Sequence, residues 1–364
     1  VSGRDGGSQD DALIDYPLVN EDVEQGAVPL SQRLRSPRTI ISLLLPLLIL
    51  LLLLVALPGF ELDRLPSLIL NANPWLLLAA FAVYYAGFPL RGYRWTLLLR
   101  GAGYRVPARD STEIIFISWL VNCLVPAKLG DVYRAYLLRQ NFPVSLSKTF
   151  GTVFIERVFD LFAIVVLGLA AGFWSFRTGL TSEMQAVFAV GLVIVGLLTV
   201  GLFLIRNFGR RILLRLPLPH RIVTFYDRFE EGLFSIAPRQ LPLLGIVTAL
   251  IWATEATRLY LVVQALGFVD LNLGVSGAFF VALIASLLTA IPLAPAGLVV
   301  VEAGIVGVLV LFYDVPKTEA AAIALADRAI SVLSVIVLGS IAYVLSSKTK
   351  ARTPEPAAAG DRGS

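Results

Sequence analysis

The residues of this chain that could do chemistry are charged side chains set inside apolar stretches. Glu156, Arg157 and Asp160 stand near the start of Phe150–Phe176. Glu255 and Arg258 interrupt Leu241–Leu266, and Asp327 and Arg328 interrupt Thr318–Ser346. A charge at bilayer depth costs at least about 2.5–3.5 kcal/mol on insertion scales, so each must pair or face a wet cavity. Glu156 and Asp160 are four apart on one helix face, and Glu255 and Arg258, three apart, can pair along their own helix. Asp327 and Arg328 are neighbours that point apart, so each needs a partner on another helix. Such groups either glue helices together or hold ions, protons and polar headgroups. Arg157 and Arg328 favour the second use.

Two further clusters follow chain breaks. Pro126 precedes Lys128, Gly130, Asp131 and Arg134; Pro292, Pro295 and Gly297 precede Glu302. Proline removes a backbone donor and interrupts the helix ladder. The half-helix ends then offer free N–H or C=O groups to an anion or a cation. Lys128 fits two readings, a phosphate ligand or a lysine snorkelling to the interface. Asp131 and Arg134, three apart, fit a local pair at the surface. Arg91, Arg94 and Arg100 fit two readings, anchors for lipid headgroups or ligands, and Arg94 is a candidate for the transport site. Glu302 follows a break in an apolar run, where a carboxylate is desolvated and able to exchange a proton. Cys123 and Met184 read as packing residues.

The elements that must position these groups are membrane helices. Of 364 residues, 57% are hydrophobic and 15% charged, against roughly 45–50% and about 25% in soluble domains. Thr39–Phe60, Trp75–Arg100, Phe150–Phe176, Met184–Ile205, Leu241–Leu266 and Thr318–Ser346 are six full spans of the length a bilayer needs. Ile114–Ala127 and Leu271–Val301 are broken segments that could cross or turn back. The basic regions Arg33–Arg38, Arg91–Arg109, Arg206–Arg239 and Lys348–Arg352 share one side only if both broken segments are re-entrant. That choice predicts an all-α plasma-membrane protein with both termini cytoplasmic. Residues 1–38 and 347–364 read as disordered cytoplasmic tails around a membrane domain at 39–346. Residues 206–239 read as a basic amphipathic stretch on the cytoplasmic leaflet.

An internal repeat supports this plan. Glu156-Arg157-Val-Phe-Asp-Leu-Phe-Ala-Ile-Val-Val-Leu-Gly168 aligns without gaps on Asp327-Arg328-Ala-Ile-Ser-Val-Leu-Ser-Val-Ile-Val-Leu-Gly339. Copies at about 39–180 and 181–346 each hold three spans plus one re-entrant hairpin. Three is odd, so the copies are inverted, a transporter arrangement.

One cysteine and one histidine leave no disulfide and no His-rich or Cys/His metal site. No Walker loop, HExxH or nucleophile elbow is present. The expectation is a non-enzymatic protein without cofactor or metal. The basic balance follows positive-inside topology rather than nucleic acid.

Four motifs then occur in order: Arg91-Gly-Tyr-Arg94-Trp95; Pro126-Ala-Lys-Leu-Gly130-Asp131-Val-Tyr-Arg134; Glu156-Arg157-Val-Phe-Asp160; and Pro292-Leu-Ala-Pro295-Ala-Gly297-Leu-Val-Val-Val-Glu302. Together they resemble the transmembrane region of lysylphosphatidylglycerol synthases, the flippase-like domains, over about residues 39–347. Ala296 and Val299 replace glycines usual in that broken loop, and Asp131 stands where Glu is common. The resemblance implies an integral-membrane lipid translocation domain, fused in some members to a soluble synthase for which no polar stretch here is long enough. On this reading Arg157, Arg328 and Lys128 attract a phosphate, while Glu156, Glu255, Glu302 and Asp327 balance charge, hold a cationic headgroup or carry protons. The partners expected are membrane lipids, with a separate lipid-synthesising enzyme or a second copy of the chain as further candidates. A secondary transporter of a small solute, a membrane-embedded lipid-modifying transferase and a non-catalytic scaffold are the alternatives.

Overall fold

The computed structural model describes residues 60–125, 128–177, 179, 181–215, 217, 219–268, 273–289 and 295–350. The tail 1–38, nearly all of the first expected span, Pro126, Pro292 and residues 351–364 lie outside them.

The described residues form helices throughout. After a short helix, Leu65–Leu70, come α1 (Pro74–Gly101), α2 (Ala108–Leu124), α3 (Leu129–Asn141), α4 (Leu146–Ser175) and α5 (Met184–Leu213). Then follow α6 (His220–Leu233), α7 (Leu241–Ala265), α8 (Gly274–Leu288), α9 (Val300–Tyr313) and α10 (Lys317–Leu345). Among them α1, α5, α7 and α10 are long and apolar enough to cross a membrane. α4 is as long, 30 residues, and carries Glu156 and Asp160 buried in its first half. α5 is hardly buried within the chain and exposes Leu192, Val193, Leu197 and Phe203. A helix so apolar and so uncovered needs lipid around it.

Local sequence sets the boundaries. Asn73 caps α1 by accepting from the amides of Trp75 and Leu76 at 3.0 and 3.4 Å, and Pro74 takes the first helical position. α10 contains a π-helical turn at Ala329–Leu333, immediately after Asp327 and Arg328. There the displaced ladder lets the Ser331 carbonyl accept from the Tyr84 hydroxyl of α1 at 3.1 Å. Arg206–Leu213 continue α5 rather than lying apart from it, so the expected amphipathic stretch narrows to α6. That helix packs on α4 through Gly232, whose neighbour in space is the Lys148 carbonyl. Burial and then Asp227 raise the Glu230 carboxyl above its ordinary range.

α2–α3 and α8–α9 are two helical hairpins whose open ends lie at opposite ends of α4. Asp110 at the start of α2 and Asn141 at the end of α3 both meet Lys348, at 3.3 and 3.0 Å. The α4 start lies at that same end, where the Ser145 amide donates to Tyr104 at 3.0 Å. In the other hairpin, Gly277 near the start of α8 sits beneath the Tyr313 ring at the end of α9. The Tyr313 hydroxyl is 3.0 Å from that of Ser175, the last residue of α4. Legs of 17, 13, 15 and 14 residues are each shorter than the roughly 20 that span a bilayer.

Candidate functional site

The tips of both hairpins meet at one cavity of about 170 Å³. Lys128 enters it from the first tip, and Ala296 and Gly297 from the second. Both tips turn through left-handed backbone. Lys128 has φ 52° just before α3, and Val299 has φ 73° just before α9. Ala296 (φ 52°) and Gly297 (φ 68°) share the turn. The first hairpin closes tightly because Gly130 has no side chain. A Cβ there would lie 2.0 Å from the Ser118 carbonyl oxygen, and its amide donates to Asn122 Oδ1 at 2.8 Å.

Three sets of ion pairs surround the cavity. In the first, Arg94 donates to Glu156 at 2.8 Å and to Asp160 at 2.6 Å. Arg134 pairs with the other Glu156 oxygen at 2.9 Å, and Arg157 lies 3.0 Å from Asp131 and 3.1 Å from Asp160. In the second, Arg258 grips Asp327 at 2.8 and 3.0 Å and also pairs with Glu255, to which Arg91 donates at 2.5 Å. In the third, Arg328 donates to Glu302 at 2.7 Å and to the Ala296 carbonyl at 2.5 Å. Aromatic rings complete the packing: Arg258 lies over Tyr84 at 4.9 Å, Arg91 over Trp119 at 4.7 Å and Arg134 over Trp95 at 4.9 Å.

Each set is charge-balanced. The first has three arginines and three carboxylates, the second two of each and the third one of each. Lys128 remains. Among the described residues its ammonium has no carboxylate or hydrogen-bond partner, and it lines the cavity half-buried. The cavity therefore has a lining positive by one charge among the described residues, a polar setting for a small anion. Its volume is of the order of engineered cavities that take benzene, about 150 Å³. A phosphate fits; a hydrocarbon chain does not.

The ion pairs repeat between the two halves. Asp131, Glu156 and Arg157 stand 171 positions before Glu302, Asp327 and Arg328, and Lys128 stands 171 before Val299. Arg157 binds Asp131 as Arg328 binds Glu302, each tying the second leg of a hairpin to a long helix. Arg94 binds Glu156 as Arg258 binds Asp327. The left-handed residue before α3 matches the one before α9.

Twelve of the charged residues singled out from the sequence join this assembly, and Arg91 joins them. Arg94, Arg134, Glu156 and Glu302 lie behind its wall, and the other eight line the cavity. Two expectations change. Asp131 and Arg134 do not pair with each other, because successive helix positions send them to Arg157 and Glu156. Arg91 and Arg94 are buried rather than anchored at a headgroup surface, whereas Arg100 is exposed. The sequence signal for Arg91 was its place three residues before Arg94, repeated by Glu255 before Arg258. Trp252, which donates to Asp160 at 3.2 Å, gave no such signal. Among the described residues no group of three His, Cys, Asp or Glu side chains could hold a metal ion.

Fold and site together define a helical membrane protein with a charge-lined cavity at the meeting of two broken hairpins. The lysylphosphatidylglycerol synthase transmembrane region matches residues 40–339, and the chain belongs to that family. A UPF0104 membrane protein of Methanocaldococcus jannaschii is 34% identical over 235 residues, covering 65% of this chain and 97% of that relative. Another, from Methanothermobacter thermautotrophicus, is 26% identical over 305 residues, 76% of this chain and 88% of the relative. Glycosyltransferase AglD of Haloferax volcanii is 28% identical over 313 residues, which is 77% of this chain but only 50% of that protein.

Proposed function

We propose that this chain is a lipid translocase that carries a phosphate-bearing headgroup between the leaflets of the plasma membrane. The observation that carries the reading is the Lys128 ammonium, without a carboxylate or hydrogen-bond partner among the described residues, beside three neutral ion-pair sets. Buried arginines that already hold carboxylates offer a phosphate little net attraction, because it must displace an internal partner. Lys128 has none to lose.

In this account six spans, the first at residues 39–60, enclose two re-entrant hairpins that enter from opposite faces. Both termini and the basic segments lie in the cytoplasm. The short hairpin legs and their opposed open ends support that plan. The pairs Arg157–Asp131 and Arg328–Glu302 hold the two tips. A phosphate drawn to Lys128 weakens the neighbouring Arg157–Asp131 tie, so the tips loosen one at a time and expose the headgroup to alternate sides, while the chains stay outside the charged cavity.

A membrane-embedded transferase is the second reading, favoured by the name of the Haloferax relative. The match covers half of that protein, which leaves its other half to account for the name. Purified protein in liposomes with fluorescent lipids of varied headgroup separates the two. Translocation changes the accessibility of the label without changing the lipid's mass. A new covalent lipid product, with no change in accessibility, would overturn the translocase reading.

A further inference from the structure

Trp252 belongs to the walls of two spaces. Its indole N–H is held by Asp160 at the charged cavity, and its ring also borders an apolar groove of about 710 Å³ between α4, α7 and α8. Ala170, Ala249 and Ala253 leave room along the groove, and Trp174, Leu250 and Phe279 flank it. Among the described residues no charged side chain lines it. Among the described residues Trp252 is the one common to both linings. A second apolar groove, where α4, α5 and α8 meet, shares none with the cavity.

We infer that the groove beside Trp252 seats one hydrocarbon chain of the lipid whose phosphate occupies the cavity. This assignment rests on the translocase reading and adds to it the path of the chain. The cavity is lined by charged and polar groups, so an attached hydrocarbon chain is better placed outside it, along an apolar face. The polar and apolar spaces touch at Trp252, an amphipathic side chain suited to a boundary with one wet and one oily face. The groove opens among helices whose outer faces are apolar, where a chain passes from bulk lipid without crossing water.

The test uses phosphatidylglycerol carrying a photoactivatable diazirine on one acyl chain, in nanodiscs with the full chain. Adducts mapped by mass spectrometry are expected to concentrate on Ala249–Ala253 and Phe279. Ala253→Phe, at a groove position that does not itself line the cavity, is expected to lower those adducts about tenfold. Adducts spread evenly over α5, α7 and α10 of the unsubstituted protein would overturn the assignment, with no variant needed. So would unchanged labelling in folded Ala253→Phe. The headgroup reading fails separately. Groove adducts that are untouched by Lys128→Gln would keep the groove and sink the phosphate site.

Discussion

At the residue scale, Arg94 and Arg157 share Asp160 but differ in surroundings. Arg94 is buried behind the cavity wall, whereas the Arg157 side chain is 30% exposed and lines it. Arg94→Ala leaves Glu156, Asp160 and Asp131 facing only Arg134 and Arg157, one buried negative charge in excess, and thermal unfolding is expected to show a loss of roughly 3–5 kcal/mol. Arg157→Ala should cost less stability and abolish transport in liposomes. Equal stability losses would contradict the division between packing and cavity arginines. Val299 poses a different question, because a β-branched residue at φ 73° is strained. Val299→Gly is expected to stabilise by about 1 kcal/mol, the relieved strain exceeding the added chain entropy of glycine. A lower melting temperature would refute it. The departures from the family loop at Ala296 and Val299 were legible in the sequence, and both fall on left-handed backbone. The partners of Asp131 and Arg134 were not legible, because helix spacing ranks neighbours on one helix and says nothing of those across a gap.

At the element scale, the first hairpin depends on contact between its legs. Gly130→Ala would press a Cβ onto the Ser118 carbonyl and the Asn122 side chain. That should cost about 1–3 kcal/mol in thermal unfolding. Gly245 of α7 has open space around its Cβ direction, so Gly245→Ala should be neutral or stabilise by about 0.5–1 kcal/mol. A similar loss at both positions would mean that glycine is needed for reasons other than close approach. The breaks before α3 and α9 were readable from proline, glycine and the short uncharged runs. The register between hairpins and long helices was readable only in part. The Glu156 and Asp327 copies aligned from apolar pattern and adjacent charges. The match of Asp131 to Glu302 came only with their arginines.

At the scale of the whole molecule, α1, α5, α7 and α10 match runs of hydropathy that any bilayer-length window finds. The polar content of α4 was legible too, since three charges within two turns of an apolar helix need partners. What no window gives is the way the halves meet, because apolar faces that pack on protein and on lipid have the same composition. The expected topology can be tested in the Cys123→Ala background. A cysteine at Phe268 should react with an impermeant maleimide from outside intact cells, and one at Ser235 only after permeabilisation. Outside labelling of Ser235 would mean that a hairpin crosses fully, and the two-sided entry would fail.

The central claim is that Lys128, without a partner among the described residues, draws the phosphate of a lipid headgroup for transfer. The direct measurement is the initial rate of label transfer in proteoliposomes for fluorescent phosphatidylglycerol and phosphatidylcholine, with the unsubstituted chain and with Lys128→Gln. A lost charge-assisted bond to phosphate is worth roughly 1.5–3 kcal/mol. The expected result is therefore a tenfold to hundredfold fall, on the order of that energy, for the anionic lipid in a variant of unchanged melting temperature. The same anionic-lipid rate in both proteins would contradict the account.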